Sequence, residues 1–312
     1  MSDNNFWQKI KKPILALAPM AGFSDSAFRQ IAASYGADVV YSEMASVTAL
    51  YYNKKPTLEL LKFDKKKEKN YVVQLFGSNP EHFAAAAKII TKEIRPQGID
   101  INFGCPVGKV LRQGAGAELM ANLAGAQAVI KAVCDHTDLP VSIKIRTKSG
   151  NVGALEFLKS ISNLPVAAVM IHGRTLKQGF VGEVDYHLIK EARKYFSGII
   201  LANGGVNDLA SAQKMLKESK ADGLGLARGA LGRPWLFSEI KKNKTINLDI
   251  KDIAKIILRQ AKLEEKLKGR EAMIELRKHL CWYVQGISGA TAYRSQLVKV
   301  NNYLDVKKIF KF

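Results

Sequence analysis

The sequence predicts an α/β fold, an eight-stranded (β/α)8 TIM barrel followed by a small all-helical domain. Three observations lead there. Short apolar runs alternate with helical patterns from Ile14 to about Lys241. There are about eight such units in series, which favours a closed parallel barrel over an open sheet. After Trp235-Leu236-Phe237 the strand-like runs stop and amphipathic helical patterns take over. The boundary is placed between residues 1–241 and 242–312.

In chain order, strands are read at 14–18, 38–42, 71–76, 99–102, 141–146, 168–172, 199–202 and 223–227. A first helix opens at Ser24-Asp25 and closes at Gly36, with cap and terminating glycine both present. Asn79-Pro80 opens a second, with proline in its first turn. Asn122 and Asn207-Asp208 open two more. The Lys-rich stretch 53–70 reads as a solvated insertion, and 241–248 as a linker. Over 252–268, Ile253, Ile256, Ile257, Gln260, Leu263 and Leu267 share one helix face. Lys255, Arg259, Lys262 and Lys266 line another. A second tail helix, 271–285, carries Arg277, Lys278, His279, Trp282 and Tyr283, and Ser288-Gly289-Ala290 breaks it.

The 312-residue chain has a formal net charge of +20, which favours a polyanionic partner, nucleic acid before membrane. Cys105, Cys134 and Cys281 show no paired spacing, so neither a disulfide framework nor a metal site is expected. A reducing compartment, the cytoplasm, follows. Pro13 and Pro19 interrupt the apolar N-terminal stretch, which reads as a tail and first strand, not as a targeting signal. No apolar run approaches the ~20 residues of a membrane span. Oligomeric state is open, with a monomer expected.

The centre of the chain is Asp100-Ile101-Asn102-Phe103-Gly104-Cys105-Pro106. A buried strand ends there in a Gly-Cys-Pro turn, and the residue before proline is held extended. A thiol on a stiff loop at a strand end is placed for chemistry. In Val141-Ser142-Ile143-Lys144-Ile145-Arg146 the apolar residues share one parity and pack outward. Ser142, Lys144 and Arg146 then face the barrel interior or its mouth, and Lys144 requires an anionic or carbonyl partner. The same parity turns His172 inward, and Gln74 is the one polar residue of its strand. Asn203-Gly204-Gly205 and the run from Gly223 to Gly229 match the late-strand loops that bind phosphate in such barrels, with Arg228 adding a charge contact.

Taken in order, Ala18-Pro19-Met20-Ala21-Gly22, Ser42-Glu43-Met44, Gln74-Leu75-Phe76-Gly77, Asn102-Phe103-Gly104-Cys105-Pro106, Lys144-Ile145-Arg146, His172-Gly173-Arg174-Thr175, Asn203-Gly204-Gly205 and Ala227-Arg228-Gly229-Ala230 resemble the tRNA-dihydrouridine synthase family. Arg277-Lys278-His279 through Trp282-Tyr283 resemble its C-terminal domain. The resemblance implies an FMN enzyme, reduced by NADPH (or NADH), that reduces the 5,6 double bond of uridines in tRNA. It implies Cys105 as proton donor to uracil carbon 5. It places Pro19, Met20 and Ala21 against the flavin ring, Gln74 at its pyrimidine edge, Lys144 near the edge that becomes anionic, and His172 beside ring or phosphate. Asn203, Gly204, Gly205, Ala227 and Arg228 would hold the phosphate. Asn102, Lys109, Arg146, Arg174, Arg277 and Lys278 would face the RNA. Gly204, Ala227, Phe103 and Gln285 depart from the family's commonest residues, and none of them is the proposed acid.

Three other readings compete. A flavin barrel acting on a free pyrimidine leaves the basic tail unexplained. A lyase using Lys144 for a Schiff base would not carry a flavin. A non-catalytic RNA-binding protein leaves Cys105 in its motif without a purpose.

Overall fold

The computed structural model describes residues 5–310. Its centre is a ring of strands, β1 Ile14–Leu17, β2 Val39–Tyr41, β3 Tyr71–Phe76, β4 Gly98–Asn102, β5 Val141–Arg146, β6 Val166–His172, β7 Ile199–Asn203 and β8 Gly223–Leu226. Each is parallel to its neighbours in chain order, and β8 closes on β1. The sequence-derived strands are all present, with β6 beginning earlier than expected, at Val166.

Parity works as the pattern requires. Leu15, Leu17, Val73, Leu75, Ile99, Ile101, Ile143 and Ile145 belong to the core shared with the surrounding helices. Ile14, Ala16, Val39, Val72, Ala168, Met170, Ile199 and Leu201 fill the barrel interior. A strand covered on both faces must be apolar on both parities, except where the interior opens to a site. Trp7, on a short helix capped by Asn5, is buried in this interior cluster. The stretch read as a tail therefore contributes to the barrel's core. Gly225 is needed for the same filling, because a Cβ there would fall 2.6 Å from the Met170 sulfur.

The caps are where the sequence puts them. Asp25 accepts from the Phe28 amide at the start of α1, Ser26–Ser34. Asn79, Asn122 and Asp208 cap Pro80–Ile89, Leu123–Cys134 and Leu209–Ser219. The insertion 53–70 is more ordered than a solvated loop. Lys54–Leu60 is helical, and Glu68 is fully buried against Arg29. Glu68 also accepts from Ser26 Oγ, while Arg29 donates to the carbonyls of Ser24 and Lys62. One buried carboxylate anchors the segment, and its lysines stay in water.

The last barrel helix ends at Lys242. Beyond it come α2 Ile250–Lys268, α3 Met273–Tyr283, α4 Ala290–Leu297 and α5 Tyr303–Ile309. The buried face of α2 differs from the periodic expectation. Ala261 and Glu264 are inside and Leu267 is exposed. The cause is a second contact, because α2 packs on α1 as well as on its own domain. At that junction Lys268 Nζ bridges Asp25 at 2.7 Å and Glu264 at 2.8 Å. Arg259, expected on a free basic face, donates to Ser34 Oγ of α1 at 3.0 Å. No helix among the described residues is long and apolar enough to cross a membrane.

Candidate active site

One cleft of about 560 Å³ opens at the C-terminal ends of the strands. Its walls include Pro19, Met20, Ala21, Gln74, Asn102, Cys105, Lys144, Arg146, His172, Arg174, Asn203, Gly204, Gly205, Ala227 and Arg228. Register explains the gathering. Gln74 pairs with Asp100 and Asp100 with Ser142, so one polar row crosses three strands. One step higher, Asn102 pairs with Lys144. Arg146 pairs with His172, and His172 with Asn203.

The cysteine loop is held from below. Asn102 Oδ1 accepts the Gly104 and Cys105 amides at 3.0 and 2.9 Å, an Asx-type turn. Asn102 Nδ2 donates to Gln74 Oε1 at 2.9 Å, and Gln74 Nε2 donates to Asp100 Oδ2 at 2.7 Å. Asn102 is thus engaged in the scaffold of the loop. Arg146 clamps the other side, donating to the carbonyls of Gly104, Thr175 and Gly179. Arg146, expected to face the RNA, lines the cleft and also ties the cysteine loop to the loop after β6. Burial pushes the Cys105 thiol above its usual range, opposed in part by the Val107 amide, Lys144 and Arg146. The group is a neutral thiol at ordinary pH, a proton holder and not a ready thiolate nucleophile.

Asp100 is a nearby carboxylate whose charge supports the Lys144 ammonium, with no direct ion pair between them among the described residues. Burial pushes Lys144 down to about 8, with Arg146 repelling it and Asp100 and Cys105 supporting its charge. Burial pushes Asp100 up to about 6, against hydrogen bonds from Gln74 and Ser142. His172 is held neutral, pushed down to about 2 by burial first and then by Lys144, Arg146, Arg174 and Arg228. Four cations around one imidazole leave the cleft short of negative charge. Below them lies a cradle of backbone, where Gly204 takes φ +105 and a Cβ would strike the His172 ring at 2.6 Å. An anion seated at this cradle would relieve the surplus, and a flat ring fits the apolar wall of Pro19, Met20 and Ala21. Asn203 Nδ2 is committed to the Gly225 carbonyl at 2.7 Å. Of the glycine-rich β8 segment, Ala227, Arg228 and Gly229 reach the cleft, while Gly223 and Gly225 do not line it.

Three expected residues stand outside the cleft wall. Lys109 is exposed on the short helix Gly108–Leu111. Arg277 donates to the Val300 carbonyl and to Asn301 inside the helical domain. Lys278 sits at the rim, its Nζ 4.9 Å from the Phe23 ring centroid. The sequence reading missed Phe180, which lies under Arg228 at 4.2 Å, and Trp282, which brings the helical domain into the wall. Trp282 had a signal, its place in the tail motif. Phe180, on an irregular loop, had none.

The profile of the family described as dihydrouridine synthase (Dus) matches residues 16–310. The chain belongs to the dihydrouridine synthase family. Among curated members, a probable tRNA-dihydrouridine synthase of Aquifex aeolicus (strain VF5) is 33% identical over 302 residues, covering 96% of this chain and 95% of the relative. A tRNA-dihydrouridine synthase B of Pasteurella multocida (strain Pm70) is 34% identical over 286 residues, covering 89% and 86%. Among solved structures, morphinone reductase superposes with a TM-score of 0.53 at 14% identity, covering 77% of this chain and 88% of that one. Histamine dehydrogenase from Rhizobium sp. 4-9 gives 0.59 at 14%, covering 81% and 49%. These structural likenesses support the barrel fold. The family assignment makes the chain an enzyme of flavin-dependent type.

Proposed function

We propose that this protein is a tRNA-dihydrouridine synthase that binds FMN, takes its electrons from NADPH and reduces particular uridines, those of the D-loop first. The observation that carries the reading is one juxtaposition. A protonated thiol on a rigid loop faces the same cleft as a cation-rich glycine cradle suited to a ribityl phosphate. A reduced flavin bound there would supply the hydride for uracil carbon 6. Cys105 then delivers its proton to carbon 5, so that hydride and proton together saturate the double bond and leave a thiolate to be reprotonated from solvent. Lys144 would oppose negative charge at the ring edge, and Arg228 with the Gly204-Gly205 backbone would hold the phosphate. A uracil reaches this depth only when unstacked from its RNA. Trp282 and Lys278 stand where the helical domain meets the cleft, and basic residues outnumber acidic ones in that domain. This supports residues 242–312 as the part that presents tRNA.

The test is to incubate unmodified tRNA with protein, FMN and NADPH and map dihydrouridine by position, with Cys105→Ala alongside. Dihydrouridine at defined positions, lost in the variant while flavin stays bound, is the expected result. A flavin that NADPH reduces with no dihydrouridine formed would refute the substrate and direct attention to free pyrimidines.

A further inference from the structure

Asp100 touches neither thiol nor cleft wall, yet it is fully buried at the start of the chain of hydrogen bonds that ends at Cys105. From the carboxylate, the links run to Gln74 Nε2, from Gln74 Oε1 to Asn102 Nδ2, and from Asn102 Oδ1 to the Gly104 and Cys105 amides. Ser142 Oγ donates to the other carboxylate oxygen at 2.7 Å. While Asp100 is ionised, as at pH 8, the two ends of this chain cannot reverse. An ionised carboxylate only accepts, and a backbone N–H only donates. Between them stand two primary amides, each with two ways round. Only one pair of orientations satisfies both ends, because turning either amide sets like groups face to face. Gln74 and Asn102 are largely buried at the base of the cleft, so a lost bond between them is costly.

We propose that Asp100 is a positioning residue that fixes the direction of this hydrogen-bond chain and, through it, the seat of Cys105. The link to catalysis rests on the function proposed above; the link to the seat of the thiol does not. The cross-strand row places Asp100 between Gln74 and Ser142 by register, so the anchor belongs to the sheet and not to the loop. Lys144 lies above the row and supports the ionised form. The chain makes a specific demand. A carboxylate moved to position 102 still accepts the loop amides, but Gln74 then has a carboxylate on both sides and only one NH2 group. Putting an amide at position 100 at the same time removes the conflict. Gln74 turns round, donates to position 102 and accepts from position 100.

The experiment compares Asp100→Asn, Asn102→Asp and the exchange variant carrying both changes, in the full-length protein. Two readouts are taken at pH 6 and pH 8. One is dihydrouridine formed in tRNA. The other is iodoacetamide alkylation of Cys105, followed peptide by peptide with Cys134 as internal reference. Asp100→Asn can still present its carbonyl to Gln74 but no longer enforces that direction, and is expected to lose about tenfold in turnover. Asn102→Asp is expected to lose about a hundredfold in turnover at pH 8, the scale of an ångström's misplacement. At pH 6 it partly recovers, as a shared proton restores the missing donor. Its Cys105 alkylates about tenfold faster at pH 8, as a loosened loop admits the reagent. The exchange variant is expected to regain wild-type-like alkylation and most of the turnover at both pH values.

An exchange variant no better than Asn102→Asp at pH 8 would overturn the proposal. Should Asn102→Asp alone fail to fold, the exchange variant must still fold with slow Cys105 alkylation, and its failure would overturn the proposal equally. If wild type makes no dihydrouridine, the functional reading fails while the alkylation series still decides the role of Asp100.

Discussion

Gly232 lies so close beneath Trp282 that a Cβ on it would sit 2.3 Å from the Trp282 carbonyl oxygen and 2.7 Å from the Tyr283 amide. The barrel therefore meets α3 through bare backbone. Its φ of +68 sets a second barrier to any side chain. Gly232→Val is expected to push α3 off the barrel, cost about 3 kcal/mol and open the cleft wall that Trp282 completes. Denaturant unfolding and dihydrouridine formation should both report it, while flavin loading at the cradle persists. A variant with normal stability and turnover would contradict a tight seat for the domain.

The buried pair of Arg29 and Glu68 makes the insertion part of the barrel. Glu68→Gln leaves the guanidinium without its counter-charge, and removing one partner of a buried pair costs about 3–5 kcal/mol. Thermal melts should show a clear drop. Lys65→Ala, on the exposed part of the same segment, should leave the melting temperature unchanged.

Lys144 gives the cleft a pH limit. Its ammonium, held down to about 8 by burial, is charged below that pH and lost above it. An anionic ligand binds the charged form better, so affinity should hold below about pH 8 and fall by up to tenfold per pH unit above it. Flavin fluorescence titrations across pH 6.5–9.5 measure this. Lys144→Met should bind more weakly and lose this limb of the profile; an unchanged limb would assign it to another group.

Arg228 makes a sharper distinction between ligands. If it pairs with the ribityl phosphate, Arg228→Ala should raise the dissociation constant for FMN about ten- to a hundredfold, the scale of charge-assisted hydrogen bonds. Binding of riboflavin, which lacks the phosphate, should change little. Equal losses for both would move Arg228 to the ring side, where Phe180 already meets it.

The sequence made the barrel legible because its strands are buried on both faces and their polar exceptions fall on one parity. Gln74, Lys144, Arg146 and His172 were found that way, and the structure brings them to one cleft. What a side chain does once there was less legible. Arg146 has the charge and place of an RNA contact, but its acceptors are carbonyls of Gly104, Thr175 and Gly179, distant in sequence. Arg277's partners were illegible for the same reason, since Val300 and Asn301 come round only in the folded domain. Glu68 sits among lysines and reads as solvated until Arg29 arrives from another element. Composition shows how much charge a segment carries, whereas folding decides which of it is spent internally.

The surplus of cations around His172 has a consequence for the life of the polypeptide. Like charges confined together oppose compaction, and the relief comes from outside the chain. The ligand that neutralises them is then a stabilising counter-ion as well as a reagent, and loading is a step of maturation. Freshly synthesised chains should gain heat and protease resistance at the moment they load. Chains that never load are then expected to be cleaved more readily, which limited proteolysis of apo and flavin-loaded protein would measure.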